Sequence, residues 1–136
     1  MSYAMAQPLQ SAVFNALLAS PAVQALAGND IYDATPSGSL PATYVLLGEE
    51  DVRARSDISA AGALHEFTVT IVSTAAGFSG AKDLAGVITD LLTGSNLALS
   101  RGRVVWLAFL RARARRSASV DERQVELRFR AQVEDI

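Results

Sequence analysis

The stretch VVWLAFLRARARR (104–116) and the stretch QVELRFRAQV (124–133) that follows it decide the fold. Both alternate side chains between two faces, as half-buried strands do. A turn around Ala118-Ser119 joins them into an antiparallel hairpin, in the register that keeps both apolar rows on one side. Large side chains then lie opposite small ones. The predicted pairs are Trp106 with Ala131, Ala108 with Phe129, Leu110 with Leu127, Arg111 with Glu126, and Arg113 with Gln124.

The opposite face of the first strand is apolar before it becomes basic. It carries, in order, Val105, Leu107, Phe109, Arg111, Arg113 and Arg115. A single layer of helices on the inner face leaves these apolar side chains exposed, and such a patch usually marks a protein contact. We therefore expect either the first helix or another subunit to cover it, and we predict that this row belongs to a subunit interface.

The N-terminal part of the chain reads as helix. Leucine and valine recur at helical spacing over residues 8–27, with a break expected at Ser20-Pro21. Residues 79–92 form a second, amphipathic helix, with Ser79 as its N-cap and Gly94 at its end. These are the two main helices of the prediction.

Two further strands complete the sheet. One runs from residue 44 toward residue 52, and the other spans 65–74 with a clean alternation of apolar and polar side chains. A mobile connection is expected at 56–62, between these strands. The predicted fold is therefore α+β, a single domain over residues 1–136, with a mostly antiparallel sheet of four to five strands and a C-terminal β-hairpin.

Composition and charge exclude several classes of protein. The chain has 136 residues, half of them apolar, and no cysteine, which removes disulfides and thiolate metal sites. Residues 101–136 hold nine arginines against five acids, whereas residues 1–100 hold three basic residues against nine acids. This polarity suits a nucleic-acid surface or subunits that meet basic face to acidic face. The apolar runs are too short or too interrupted for a signal peptide or a membrane span, so we expect a cytoplasmic protein with no membrane partner.

Residues suited to catalysis are scarce. His65 is the single histidine and lies on the apolar row of its strand, so a hydrolase built on His65 and Glu66 is the weakest alternative. Glu49, Glu50 and Asp51 form one dense acidic cluster, which could hold a divalent cation. Pairing with arginines of this or a neighbouring chain explains the cluster better. We therefore predict no enzyme, and no catalytic, cofactor-binding or metal-binding residues.

A nucleic-acid function remains an alternative. The run from Arg111 to Arg116 places guanidinium groups in a row on one strand face, a geometry that can follow a phosphate backbone. The chain nevertheless has one lysine and a pI of about 5.3, and it lacks interleaved exposed aromatics. A sequence-independent DNA-binding module is thus the second hypothesis, behind a subunit interface.

Three segments resemble one known family in their order and spacing. They are GEEDVRARSD (48–57), HEFTVTIVSTAAGFSGAKDLA (65–85) and LRARARRS (110–117). The chain is similar, over nearly its whole length, to the tail-completion or tail-terminator proteins of long-tailed phages, and most of all to the versions in alphaproteobacterial gene transfer agents. The resemblance implies a structural virion protein without catalytic residues.

The same resemblance implies an assembly. Such subunits form a ring, expected to be a homo-hexamer, that ends the tail tube and joins it to the head connector or stopper, with DNA present only in transit. A head-completion or tail-tube ring protein is the nearest alternative. The predicted partners are then the tail tube protein and the connector, with residues Arg55, Ser56, Asp57, Ile58 and Ser59 as the contact loop. Assembly is expected in the bacterial cytoplasm, followed by residence in the tail neck.

Overall fold

The computed structural model describes residues 3–55, 61–117 and 121–135. The turn predicted around Ala118-Ser119 therefore lies outside the described residues. The helices and strands, in chain order, are a short 3-10 helix (Tyr3–Met5), α1 (Ala6–Ala19), α2 (Pro21–Ala27), β1 (Ile31–Tyr32), β2 (Thr43–Ala54), β3 (Ala61–Ser73), α3 (Ser79–Gly94), β4 (Arg103–Arg116) and β5 (Arg123–Asp135).

The five strands form one sheet in the order β1-β2-β3-β5-β4. The short β1 pairs with β2 in parallel, and the other three pairings are antiparallel. The four long strands therefore alternate in direction across the sheet. The predicted α+β class, the mostly antiparallel sheet and the C-terminal hairpin are confirmed.

The N-terminal helical region breaks where the sequence predicts. Pro21 begins α2, where its missing N–H costs nothing, and the Ser20 hydroxyl accepts a hydrogen bond from the backbone N–H of Val23 at 3.3 Å. The helical segment 8–27 is thus two helices. The predicted cap of α3 is wrong, because Phe78 is the N-cap residue and Ser79 is already helical, with no side-chain cap hydrogen bond.

The three helices contribute to a single core on one face of the sheet. The apolar stripes of α1 and α3 contact the buried rows of the central strands. Phe129 lies fully buried in this layer, stacked on Phe67 with 5.4 Å between ring centroids and edge-on to Phe109 at 5.9 Å. We call the other side of the sheet the helix-free face. The largest fully buried side chains are Phe129, Met5, Leu9, Leu17, Ile71, Leu84, Ile88, Leu92, Leu127, His65, Val13 and Val23.

The β4–β5 hairpin contains two register shifts that the predicted pairing lacks. They fall between Val104 and Trp106 and between Phe109 and Arg111, and each adds one residue to β4, as a β-bulge does. All five predicted pairs are therefore wrong. The observed pairs are Leu107 with Ala131, Phe109 with Phe129, Ala112 with Leu127, Arg113 with Glu126, and Arg115 with Gln124.

The bulges also redistribute the apolar residues of β4 between the two faces. Leu107 and Phe109 lie on the helix side, because their partners Ala131 and Phe129 are buried there. Arg111, past the second bulge, lies on the helix-free face. The prediction that one outer face of β4 carries all six residues of this row is therefore wrong. The residues concerned all lie on β4, but on both of its faces: Val105, Leu107, Phe109, Arg111, Arg113 and Arg115.

Candidate functional site

The sheet has an open edge on each side. β4 is the last strand of the sheet, and no described strand pairs with its outer side. At the other side, β1 pairs only with Val45 and Leu46. The residues from Glu49 to Ala54 of β2 therefore also form an open edge. Backbone N–H and C=O groups along such edges are available to another strand.

Among the described residues, the β4 edge carries four of the seven large apolar side chains that are exposed. Val105 is 40%, Trp106 38%, Phe109 45% and Leu110 41% exposed. The predicted interface residues Val105 and Phe109 belong to this patch, whereas Leu107 is half-buried against the core. A uniform register predicts Trp106 and Leu110 on the inner row of β4; the structure, with its two bulges, shows both side chains exposed. We call these four exposed residues the β4 apolar patch.

Arginines occupy the remainder of the same strand. Arg111 lies directly opposite Arg128, a like-charge pair, and Arg113 lies opposite Glu126. Arg115 donates a hydrogen bond to the Gln124 side chain at 3.2 Å. Among the described residues, no ion pair involves Arg111, Arg113 or Arg128. Arg111 therefore lies opposite a like charge, an arrangement that disfavours a sheet.

The acidic cluster divides between two environments. Glu49 and Asp51 are exposed and line a groove on the helix-free face, whereas Glu50 accepts a hydrogen bond from the Tyr3 hydroxyl. Asp51 lies opposite Glu66, which is already bound by Arg130 at 3.0 Å. The β2 edge therefore has surplus negative charge. Within 3–55, 61–117 and 121–135, no group of three or more His, Asp or Glu is placed to hold a metal ion.

His65 is fully buried on the helix side, and neither ring nitrogen makes a hydrogen bond. Its Nδ1 lies 3.9 Å from a Glu50 carboxylate oxygen. Burial lowers the pKa of His65 below its ordinary value of 6.5, and the nearby Glu50 carboxylate opposes this shift only partly. His65 is therefore a core residue whose neutral imidazole is favoured by burial. It is not exposed to a substrate, and an assignment as a general base has no geometrical support.

The acid-rich end of β5 is satisfied within the subunit. Arg101 binds Asp135 through two hydrogen bonds of 3.1 and 2.7 Å, and Arg103 binds Glu134 at 2.8 Å. The Arg101 hydrogen bonds lower the pKa of Asp135. These arginines precede or begin β4, so the unpaired basic charge of the strand is confined to its second half.

Of the predicted contact loop, only Arg55 is described. It is exposed, and its backbone N–H donates to the Gly62 carbonyl at 2.8 Å, next to the β2–β3 connection. Ser56, Asp57, Ile58 and Ser59 lie outside the described residues. No single described helix has the length and apolar character needed to cross a membrane; the bent pair Tyr3–Ala19 and Pro21–Ala27, at 78°, meets those two criteria only jointly.

Comparison with known proteins connects these features to a structural role. Residues 11–134 match the family model described as tail completion protein gp17. A chain in the solved structure of the virion of a native gene transfer agent (GTA) particle shares 50% sequence identity with a TM-score of 0.92, and the match covers 98% of this chain and 99% of that chain. No curated protein sequence matches the chain.

Proposed function

Because the chain belongs to the tail completion protein gp17 family, we propose that it forms a closed ring that ends the tail tube and joins it to the head connector of a phage-like particle. It is a structural tail-completion protein and not an enzyme. The ring, its six-fold symmetry and its two neighbours in the particle are the parts that we propose.

The observation that carries the proposal is the match along the whole chain to a virion component at 50% identity. The match covers 98% of this chain and 99% of that chain, so it spans every described element of the fold. The two open sheet edges add a physical reason for assembly. They lie on opposite sides of the subunit, so a contact between unlike edges is heterologous and generates a ring when the rotation closes.

The proposed subunit interface uses both edges. One side contributes the β4 residues and the other contributes the acidic cluster. The interface residues are Val105, Leu107, Phe109, Arg111, Arg113 and Arg115 on β4, and Glu49, Glu50 and Asp51 on β2. The exposed Trp106 and Leu110 join the first set. The proposed contact with the tail tube protein or the connector is the segment from Arg55 to Ser59.

The proposed location follows from the particle. The protein is a component of the tail of a virion-type particle, and we place it in the tail neck after assembly in the bacterial cytoplasm. DNA passes it only in transit. Arg111, Arg113 and Arg115 of β4 then serve the subunit interface. This role also explains why a chain with a pI of about 5.3 concentrates arginine in one strand.

Loss of the protein from a particle-producing strain tests the role. Without the protein, tails are expected not to join heads. Expression of the wild-type chain is expected to restore joining. Native mass spectrometry and negative-stain microscopy of the purified protein, alone and with tail tubes, then test the ring. Normal joining without the protein overturns the proposal. Salt-dependent DNA binding that Arg111→Glu and Arg113→Glu abolish, with joining intact, supports the DNA-binding alternative.

A further inference from the structure

We propose that the two open sheet edges pair with each other between neighbouring copies. β4 of one subunit then forms an antiparallel pair with residues 49–54 of β2 in the next subunit. This inference rests on the proposed ring, and it names the strands and the charges that close it. The partner surface is therefore a second copy of this chain.

The strand directions make this pairing antiparallel. β2, β3, β5 and β4 alternate in direction across the sheet. A rotation about an axis that runs along the strands leaves every strand direction unchanged. β4 of one subunit is then antiparallel to β2 of the next, and the alternation continues across the boundary without a break.

The register of the sheet fixes which residues lie at the same height. Phe109, Phe129, Phe67 and Glu50 form one row across the four long strands. The next row toward the hairpin's open end contains Ala108 and Asp51, through Arg130 and Glu66. A rotation without translation therefore brings the Ala108–Arg111 part of β4 beside residues 49–51 of the neighbour.

The charges at this height are complementary and share a face. Arg111 lies on the helix-free face beside Arg128, and Glu49 and Asp51 lie on the same face at the other edge, beside Glu66. Within one subunit, Arg111 lies opposite Arg128 and Asp51 lies opposite Glu66 in the strand register, and like charges in opposite positions are unfavourable. Apposition of the two edges gives both an opposite charge.

The apolar side chains support the same contact. The β4 apolar patch lies on an edge strand that would have a paired strand on both sides after assembly. A long exposed edge with apolar side chains is a template for another strand. β4 contains no proline and no lysine, residues that often protect an edge from pairing. Association would remove both the unpaired backbone groups and the patch from water.

A charge swap tests this contact in a way that separates assembly from folding. Arg111→Glu places an acid opposite Arg128, and Asp51→Arg places a base opposite Glu66, so each change relieves a like-charge pair inside the subunit. We expect each variant to fold with unchanged or higher Tm, yet to lose at least tenfold in ring formation and in head–tail joining. Across the proposed boundary Asp51 is a diagonal neighbour of Arg111 on the helix-free face, within reach of a long side chain, so the double variant Arg111→Glu/Asp51→Arg restores both. Asp83→Arg, at an exposed position of α3, is the matched control and leaves assembly unchanged.

Rescue by the double variant has no explanation within one subunit. Three strand spacings separate β4 from β2, roughly 14 Å at about 4.8 Å each, too far for a direct ion pair. Single variants that assemble normally, or a double variant that stays as defective as the singles, overturn the edge pairing.

Engineered cysteines give an independent readout, since the chain has none of its own. Ala108→Cys with Asp51→Cys, and Ala108→Cys with Arg53→Cys one pair further along, sample the expected register. Within a subunit these positions exceed the roughly 7 Å Cα separation that a disulfide allows. Oxidation of assembled particles is expected to give a ladder of disulfide-linked oligomers up to the closed ring, whereas Ala108→Cys with Asp83→Cys gives none. Assembled rings without the ladder reject the edge pairing and leave the proposed function in place; joined particles in a strain that lacks the protein reject the function itself.

Discussion

Replacement of Phe129 by alanine removes the central ring of the aromatic cluster that it forms with Phe67 and Phe109. The side chain is fully buried, stacked on Phe67 and edge-on to Phe109. Truncation of a buried phenylalanine costs about 3–5 kcal/mol, because transfer free energy is lost and the cavity closes only partly. Both aromatic partners also lose a contact, which places Phe129→Ala in the upper half of that range. A domain of this size has about 5–15 kcal/mol in total, so the variant loses a large share of its stability.

Phe109→Ala is the matched comparison, because it also removes one phenyl ring from this aromatic cluster. Phe109 is 45% exposed on an open edge, so about half of the burial free energy and one aromatic contact are lost, about 1–2 kcal/mol together. The two variants should therefore differ by about 2 kcal/mol or more in the monomer. In the ring, however, Phe109→Ala should also weaken assembly, whereas its effect on the isolated subunit stays small.

Urea unfolding of the monomer, followed by the fluorescence of Trp106, the only tryptophan, measures both values. The midpoint should fall with little change of the m-value, since the fold is retained. A loss below about 1 kcal/mol for Phe129→Ala contradicts the burial argument. Equal losses for the two variants show that β4 is covered in the monomer, which contradicts the open edge.

Three further outcomes are expected. Neutral His65 is favoured in the folded state by burial despite Glu50, so its contribution to the free energy of unfolding is complete above about pH 6.5 and is lost as the pH falls below that value; His65→Leu should flatten the stability–pH curve between pH 7 and 5, and an unchanged curve refutes this assignment. Gly102 has a φ of +77°, and an added Cβ would lie 2.5 Å from a backbone oxygen. Gly102→Ala should therefore lose about 1–3 kcal/mol more than Gly28→Ala, whose Cβ position at φ +58° is open; equal Tm values for the two contradict this. Ser20→Ala removes the cap of α2 and should cost about 1 kcal/mol in denaturant unfolding, which Ser20→Asp largely avoids.

The elements of the fold were predictable because their patterns have one interpretation. The stripe of α3 has helical spacing, and β3 alternates buried His65, Phe67, Val69 and Ile71 with more polar neighbours. The break at Ser20-Pro21 follows from proline chemistry alone. Each of these signals is local, so no tertiary information was needed to place the element.

The register of the hairpin was not predictable, for a reason that lies in β4 itself. From Val104 to Leu110 every residue is apolar, so alternation cannot identify which row faces the core. Binary patterning fixes a register only where one face is polar. The arginines restore the alternation from Arg111 onward, but by then the two bulges have displaced each predicted partner.

The candidate interface was partly predictable. The sequence indicated that an apolar and basic strand and an acidic segment would meet a partner, and the structure places both at open edges of the sheet. The sequence could not indicate that Glu50 accepts a hydrogen bond from Tyr3, or that Arg111 lies opposite Arg128. Those facts depend on a bulge in β2 and on the hairpin register, which are properties of the assembled sheet.

The two bulges make β4 two residues longer than the segment of β5 with which it pairs. A regular strand tolerates no deletion, because the loss of one residue turns every later side chain to the wrong face. In β4, removal of one residue between Val105 and Leu110 can be absorbed by straightening a bulge, which leaves the partners of Arg111 and all later residues unchanged. The strand can therefore shorten by one or even two residues while its basic half stays in place. Deletions of one or two residues in this part of the strand are thus compatible with the same subunit fold.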